Sequence, residues 1–224
     1  MESKVPHKIE VMQALCEVDG TAEKIGAVNT LKLTDNGYKG YNTDIIGLKK
    51  TFQERNIRIG DKTVVIAGAG GAANSAAILA GEEKAKKLVI VNRTAEKAEQ
   101  LAQRVRQYCP ITVETMGYEN IMEISNPEVL IQTTSVGMGT DAGSTPISNA
   151  LFFDQVQFAV DIIYTPWETK LMKDAAEHGV QVVNGFDMLF YQGLASFEIW
   201  HDISVDLDTA MMLKKKLTEF YIRR

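Results

Sequence analysis

The stretch TVVIAGAGGAA, residues 63–73, decides the fold. Val64, Val65, Ile66 and Ala67 form a short continuous apolar run, the pattern of a strand buried on both faces of a parallel sheet. Gly68-Ala69-Gly70-Gly71-Ala72-Ala73 follows at once and opens a helix built from small residues. The spacing fits G-x-G-x-x-A, in which glycines let backbone amides approach a pyrophosphate at a helix N-terminus. A merely tight strand–helix turn is the plain alternative. The strand before it and the helix after it favour the nucleotide reading.

Outward from this loop the same alternation repeats. LVIVNRT (88–94) reads as a strand, AEKAEQLAQRV (95–105) as a helix, VLIQTTS (129–135) and FAVDIIY (158–164) as strands, ETKLMKDAAEHG (168–179) as a helix and VQVVNG (180–185) as a last strand. Apolar strands alternating with amphipathic helices predict a doubly wound α/β domain with a parallel sheet, covered on both faces. Upstream, Val11, Met12, Leu15 and Val18 lie at helical spacing and predict an amphipathic helix over 8–18. Two short runs flank Thr34-Asp35-Asn36-Gly37, a hairpin signal in which Asn-Gly accepts positive φ. A further helix is expected over 45–56, and the tail from Met188 is helical in pattern.

The 224 residues carry a net charge of −5 and 45% apolar residues, which excludes wholesale disorder and argues against a dedicated nucleic-acid binder. Two cysteines and three scattered histidines provide neither a disulfide framework nor a metal-ligand cluster. A soluble protein of a reducing, cytoplasmic compartment is expected, with no nucleic-acid or membrane partner and no metal.

The end of the second strand chooses the cofactor. An NAD site places Asp or Glu there to hold the ribose hydroxyls. Here the residues are Asn92-Arg93-Thr94, without a carboxylate, and the arginine offers a planar fork for a 2′-phosphate. NADP is the expected cofactor; a solvated surface arginine is the alternative.

GAVNT (26–30), GYNTD (40–44), GAGGAA (68–73), NRT (92–94), TTSVGM (133–138), DIIYTPWET (161–169) and NGFDMLFYQG (184–193) occur together in one order. In that set the chain resembles the shikimate/quinate dehydrogenase family. The resemblance implies an NADP-dependent interconversion of 3-dehydroshikimate and shikimate in the route to aromatic amino acids. It also implies a dinucleotide-binding domain at 44–187 and a smaller substrate domain from 1–43 and 188–224.

Residue by residue, the resemblance makes Lys8, in Val5-Pro6-His7-Lys8, the catalytic lysine and Asp44 of GYNTD its partner. Asn29, Asp44, Gln192 and Tyr164 are implied to contact substrate. Gly68, Gly70, Gly71, Ala72, Ala73, Asn92, Arg93 and Thr94 are implied to hold the nucleotide, with Thr134, Val136, Gly185 and Met188 near the nicotinamide. The chemistry is consistent with this set: oxidising a secondary alcohol needs a hydride path and a group to take the hydroxyl proton. Each residue also has a plainer reading, with Lys8 at the surface, Asp44 as the N-cap of helix 45–56, Asn29 in a turn, and Gln192 bonding helix backbone.

The chain also departs from the family pattern. The family's first strand–helix–strand segment, with its serine pair for the substrate carboxylate, has no counterpart before Lys8, so the substrate domain is expected to be incomplete. Exposed sheet edges beside Leu31–Leu33 and a homodimer are the expected consequences. Lys4 replaces a threonine of the lysine motif and is a candidate anion contact, and Gln132 stands where an asparagine is usual. Two alternatives follow: a quinate/shikimate dehydrogenase with relaxed cofactor use, and an NADP-binding chain without catalysis.

Overall fold

The computed structural model describes residues 8–222, so Lys4 and residues 5–7 of the lysine motif lie outside the described residues. In chain order it contains a 3-10 turn (Glu10–Ala14), strand β1 (Glu17–Val18), helix α1 (Gly20–Ile25), β2 (Thr30–Thr34), β3 (Gly37–Tyr41) and α2 (Asp44–Glu54). Next come β4 (Thr63–Ala67), α3 (Gly71–Glu82), β5 (Lys87–Val91), α4 (Ala95–Tyr108), β6 (Thr112–Met116), β7 (Val129–Gln132) and β8 (Phe158–Asp161). The chain continues through α5 (Lys170–Glu177), β9 (Gln181–Val183), α6 (Phe186–His201) and α7 (Leu207–Ile222). These elements fall into two compact units: the described residues up to Glu54 with those from Phe186 on, and Arg55–Gly185.

The unit Arg55–Gly185 is the doubly wound domain that the alternation predicts. Its six strands run parallel in the order β6-β5-β4-β7-β8-β9, so the order reverses between β4 and β7. That reversal opens a crevice at the carboxyl ends of the strands, where open α/β sheets bind their ligands. Every residue of β4 and β7 is buried, which accounts for their unbroken apolar runs. Helix α4 turns Ala98, Leu101, Ala102 and Val105 inward at helical spacing. Strand β6 is absent from the sequence reading. It lies at the sheet edge with Thr112 and Glu114 exposed, so TVETM lacks the continuous apolar run that marks the interior strands.

The other unit holds a small sheet in the order β1-β3-β2. β2 and β3 pair antiparallel with Thr34 opposite Gly37, which makes Asp35 and Asn36 the two turn residues. The positive φ falls on Gly37 (+120°) and not on Asn36. The helix expected over 8–18 does not form. A 3-10 turn occupies Glu10–Ala14, and Glu17–Val18 pairs in parallel with β3. Val11, Met12, Leu15 and Val18 nonetheless pack together on Ala22, Val28 and Leu31. Their spacing reports a shared core face, which a tight turn followed by a strand satisfies as well as a helix would.

Helix α2 belongs to this unit, so the boundary lies after Glu54 and not before Asp44 as expected. α2 and α6 are pressed together at Gly47, where an added Cβ would stand 2.6 Å from the Met188 carbonyl oxygen. Helix α7 is pinned by an ion cluster around the buried Lys214. Lys214 pairs with Asp187 of α6 at 2.7 Å and with Glu54 of α2, and Tyr191 donates its hydroxyl to Glu54 at 2.9 Å. Among the described residues β2 is an edge strand, with Leu33 exposed and the Leu31 carbonyl taken by the Trp200 indole N–H at 3.0 Å. No helix among the described residues is long and apolar enough to cross a membrane.

Candidate active site

Four of the sequence-predicted residues converge in the first unit. The Lys8 Nζ donates to Asp44 Oδ2 at 2.6 Å across 36 residues of sequence. Asn29, at the entry to β2, donates its side-chain amide to Asp44 Oδ1 at 2.9 Å, to Thr43 Oγ1 at 3.0 Å and to Gln192 Oε1 at 3.3 Å. The two carboxylate oxygens of Asp44 therefore have different partners, a lysine on one and an amide on the other. Asp44 and Asn29 are almost wholly buried, at 2% and 1% exposure, while the Lys8 side chain keeps 14%. A buried charge needs such a partner and such hydrogen bonds to persist.

The local fold explains how these residues meet. The hairpin sets Thr30 opposite Tyr41, and the Asn29 N–H donates to the Tyr41 carbonyl at 3.0 Å. The chain then turns into α2, placing Asp44 in its first turn. Asp44 is not the N-cap, since the carboxylate faces Lys8 and Asn29, and it is Asn42 Oδ1 that accepts from the Ile45 amide. The backbone of Lys8 is held by the Val28 amide, which donates to its carbonyl at 2.8 Å.

A layer of hydroxyls that sequence reasoning missed lies against Asn29. Thr43 donates its backbone N–H to Asn29 Oδ1 at 2.8 Å, Thr30 Oγ1 donates to the same oxygen at 3.1 Å, and Ser196 Oγ lies 2.7 Å from Thr30 and 3.1 Å from Thr43. All three residues are buried. No sequence signal marks Ser196, which is separated from Thr30 by 166 positions.

The nucleotide-type residues lie in the second unit. Gly68 has φ +114°, and an added Cβ would meet Thr133 Oγ1 at 2.5 Å. Gly68 therefore both bends the chain out of β4 and lets the β7 loop close against it. Gly70 precedes α3, with open space where a Cβ would stand, and Gly71 and Ala72 begin the helix. Ala73 is buried. The first-turn amides of such a helix lack intrahelical acceptors and face an anion readily.

At the end of β5, Asn92 folds its side-chain amide back to the Thr94 carbonyl at 2.9 Å, Thr94 is the N-cap of α4 and Arg93 is exposed. Tyr118, on the turn after β6, lies near Arg93. Burial pushes its hydroxyl up to about 12, and the Arg93 charge offsets only part of this. The phenol therefore stays neutral beside Arg93. Thr134 Oγ1 accepts from the Val136 amide at 3.2 Å. Tyr164 is on the loop after β8, at 36% exposure. Gly185, at the end of this unit, has a packing reason for its identity, because an added Cβ would stand 1.9 Å from the Ile162 carbonyl oxygen. Met188 is on α6 of the first unit, buried, with its carbonyl against Gly47.

Asp161 ends β8 fully buried. Burial pushes its carboxyl up to about 6, against hydrogen bonds from Thr169 and Ile163 that favour the anion. In the unfolded chain the group titrates near the ordinary value of about 3.9, so between about pH 4 and 6 the unfolded state binds fewer protons. Stability from this group is therefore present at low pH and falls as pH rises through that window, by on the order of 3 kcal/mol. Asp161→Asn is expected to lose this slope. Denaturant melts of both proteins from pH 4 to 7 check it, and a stability difference between them that stays constant with pH would refute it.

Residues 49–139 match the family described as shikimate / quinate 5-dehydrogenase. A shikimate dehydrogenase (NADP(+)) of Methanocaldococcus jannaschii is 36% identical over 206 residues, covering 91% of this chain and 72% of that protein. The chain belongs to the shikimate dehydrogenase family. Among solved structures of the family, a chorismate mutase/shikimate 5-dehydrogenase fusion protein from Clostridium acetobutylicum superposes with TM-score 0.89 at 35% identity, over 98% of this chain and 77% of that one. The shikimate 5-dehydrogenase of Thermus thermophilus, solved in complex with NADP(H) and shikimate, gives 0.80 at 27% identity, over 96% and 77%.

Proposed function

We propose that this chain interconverts 3-dehydroshikimate and shikimate with NADP, in keeping with its similarity to a shikimate dehydrogenase (NADP(+)). The observation that carries the reading is the Lys8–Asp44–Asn29 constellation, drawn from three separated segments and centred on a buried, paired carboxylate. A structural ion pair alone would not call for a partly accessible lysine whose partner is held on its other oxygen by an amide.

The chain's own residues supply the acid–base work. As the alcohol is oxidised, its hydroxyl proton passes to the Lys8–Asp44 pair, and on reduction of the ketone the pair returns it. Asp44 is held by Lys8 and Asn29, so the proton is handled at a fixed position. Asn29 and Gln192, joined through Nδ2 and Oε1, offer donor and acceptor groups to a polyhydroxylated ring.

The residues for a dinucleotide fit the group. The crevice between β4 and β7, the open space at Gly70 and the exposed Arg93 at the end of β5 suit a pyrophosphate and a 2′-phosphate. When bound, the nicotinamide supplies the hydride acceptor or donor. No carboxylate ends β5, which favours NADP over NAD.

Shikimate-dependent reduction of NADP+ by the purified chain, compared with NAD+ and with quinate, tests the reading. Arg93→Ala is expected to lower kcat/KM for NADP+ by about 10- to 100-fold, the worth of a charge-assisted phosphate contact, while changing turnover with NAD+ little. Equal losses with both cofactors would remove Arg93 from 2′-phosphate recognition. NADP+ binding without turnover would favour the non-catalytic alternative.

A further inference from the structure

Two fully buried polar side chains stand side by side at the carboxyl edge of the large sheet. Gln132 ends β7, Asp161 ends β8, and the two are direct partners in the register of these strands. An apolar residue would suit either position better, since a buried amide or carboxylate is costly unless fully bonded. Each side chain folds over the loop that follows its own strand. Gln132 Oε1 accepts from the Thr134 amide, and its Nε2 donates to the carbonyls of Thr134 and Val136, both at 3.2 Å. Asp161 Oδ1 accepts from the Ile163 amide at 3.0 Å, and Oδ2 accepts the Thr169 hydroxyl at 2.7 Å. Thr169 in turn caps α5 by accepting from the Met172 amide at 3.3 Å.

The two loops also meet each other. Gly137 has φ +104°, and a Cβ there would touch Ile163 and Thr169 at 3.6 Å, so the β7 loop rests on the β8 loop where Asp161 clamps it. The Ile162 amide donates to the Gln132 carbonyl at 3.1 Å, joining the loops at their roots. The strand order gives this pair its direction. A dinucleotide with its pyrophosphate at β4 and its 2′-phosphate at β5 would have its remainder on the β7 and β8 side of the sheet.

We infer that Gln132 and Asp161 are positioning residues for the nicotinamide half of the cofactor, each shaping one of the two adjoining loops that flank it. The inference rests on the NADP reading above. Neither residue touches the cofactor; each acts through the loop it holds, Gln132 through residues 133–137 and Asp161 through residues 162–169.

The test uses two ligands that share the adenosine 2′-phosphate end, NADPH and adenosine 2′,5′-bisphosphate, which lacks the nicotinamide half. Binding is measured by calorimetry on the full chain. Gln132→Leu and Thr169→Val are expected to raise the Kd for NADPH about tenfold or more while leaving that for the bisphosphate within about twofold. Asp161→Asn keeps an acceptor for Ile163 and a polar partner for Thr169, and is expected to bind both ligands as the parent does. If the parent binds neither ligand, the NADP reading fails and this inference with it. If the parent binds both and Gln132→Leu and Thr169→Val match it, or lose both ligands equally, the inference is overturned while the NADP reading stands. Should one variant fail to fold, the other carries the comparison. Failure of both would assign the pair to stability alone and overturn the inference.

Discussion

Lys8→Ala is expected to lower shikimate-dependent NADP+ reduction by about a thousandfold and to leave NADPH binding unchanged. The size follows from what is removed. General acid–base catalysis is worth about 10²- to 10⁴-fold, and under the proposed reading the hydroxyl proton is handled by the Lys8–Asp44 pair, in which Nζ lies 2.6 Å from a buried carboxylate. The glycine loop and residues 92–94 lie in the other compact unit, Arg55–Gly185, so NADPH binding is expected to survive the substitution. Asp44 keeps its bond from Asn29 at 2.9 Å in the variant, which limits the stability loss.

Lys8→Arg separates charge from proton transfer. A guanidinium preserves the ion pair with Asp44 but does not give up a proton in proteins. It should restore any stability lost in Lys8→Ala and little of the turnover. Full activity in either variant would show that another group handles the proton. Single-turnover kinetics with NADPH and 3-dehydroshikimate measure the loss at the chemical step itself.

Gly185→Ala is expected to destabilise the fold by at least about 4 kcal/mol, the exceptional end of single substitutions. The Cβ would stand 1.9 Å from the Ile162 carbonyl oxygen, 2.3 Å from its carbonyl carbon and 2.9 Å from its Cα. All three are backbone atoms, so no rotamer change relieves the overlap. Overpacking in a core costs about 1–3 kcal/mol where side chains can shift; here a strand end would have to move. The same move breaks the bond from the Gly185 amide to the Ile163 carbonyl, at 2.9 Å. For a chain of this size the loss corresponds to a fall in Tm of about 8–16 °C. A melting curve within about 2 °C of the parent would show that the chain relaxes there without cost. The identity of Gly185 thus has a packing cause that stands apart from any nicotinamide contact.

Much of this protein was legible in its residues. The run TVVIAGAGGAA carries its strand, its glycine turn and its helix in consecutive positions, and each depends on local rules: apolar continuity, positive φ at Gly68, small residues in α3. The interior strands β5, β7 and β8 announce themselves the same way, since burial on both faces leaves no room for polar alternation. Arg93 and the absent carboxylate beside it could be read because they sit at a set distance from the glycine loop. Lys8, Asp44, Asn29 and Gln192 were legible only through family resemblance, as nothing local distinguishes a paired lysine from a solvated one.

Tertiary structure decided the rest. The spacing of Val11, Met12, Leu15 and Val18 required a common buried face, yet pairing with β3 made Glu17–Val18 a strand. Helix α2 follows α6 into its unit because contact at Gly47 presses the two together. Thr30, Thr43 and Ser196 gather against Asn29, and Gln132 and Asp161 come side by side, only when segments far apart in the chain are brought together. Local sequence determines which backbone conformations are cheap. Which buried polar groups find partners depends on the whole fold, because an unpaired buried hydrogen-bonding group costs about 1–3 kcal/mol and its partner can come from any part of the chain.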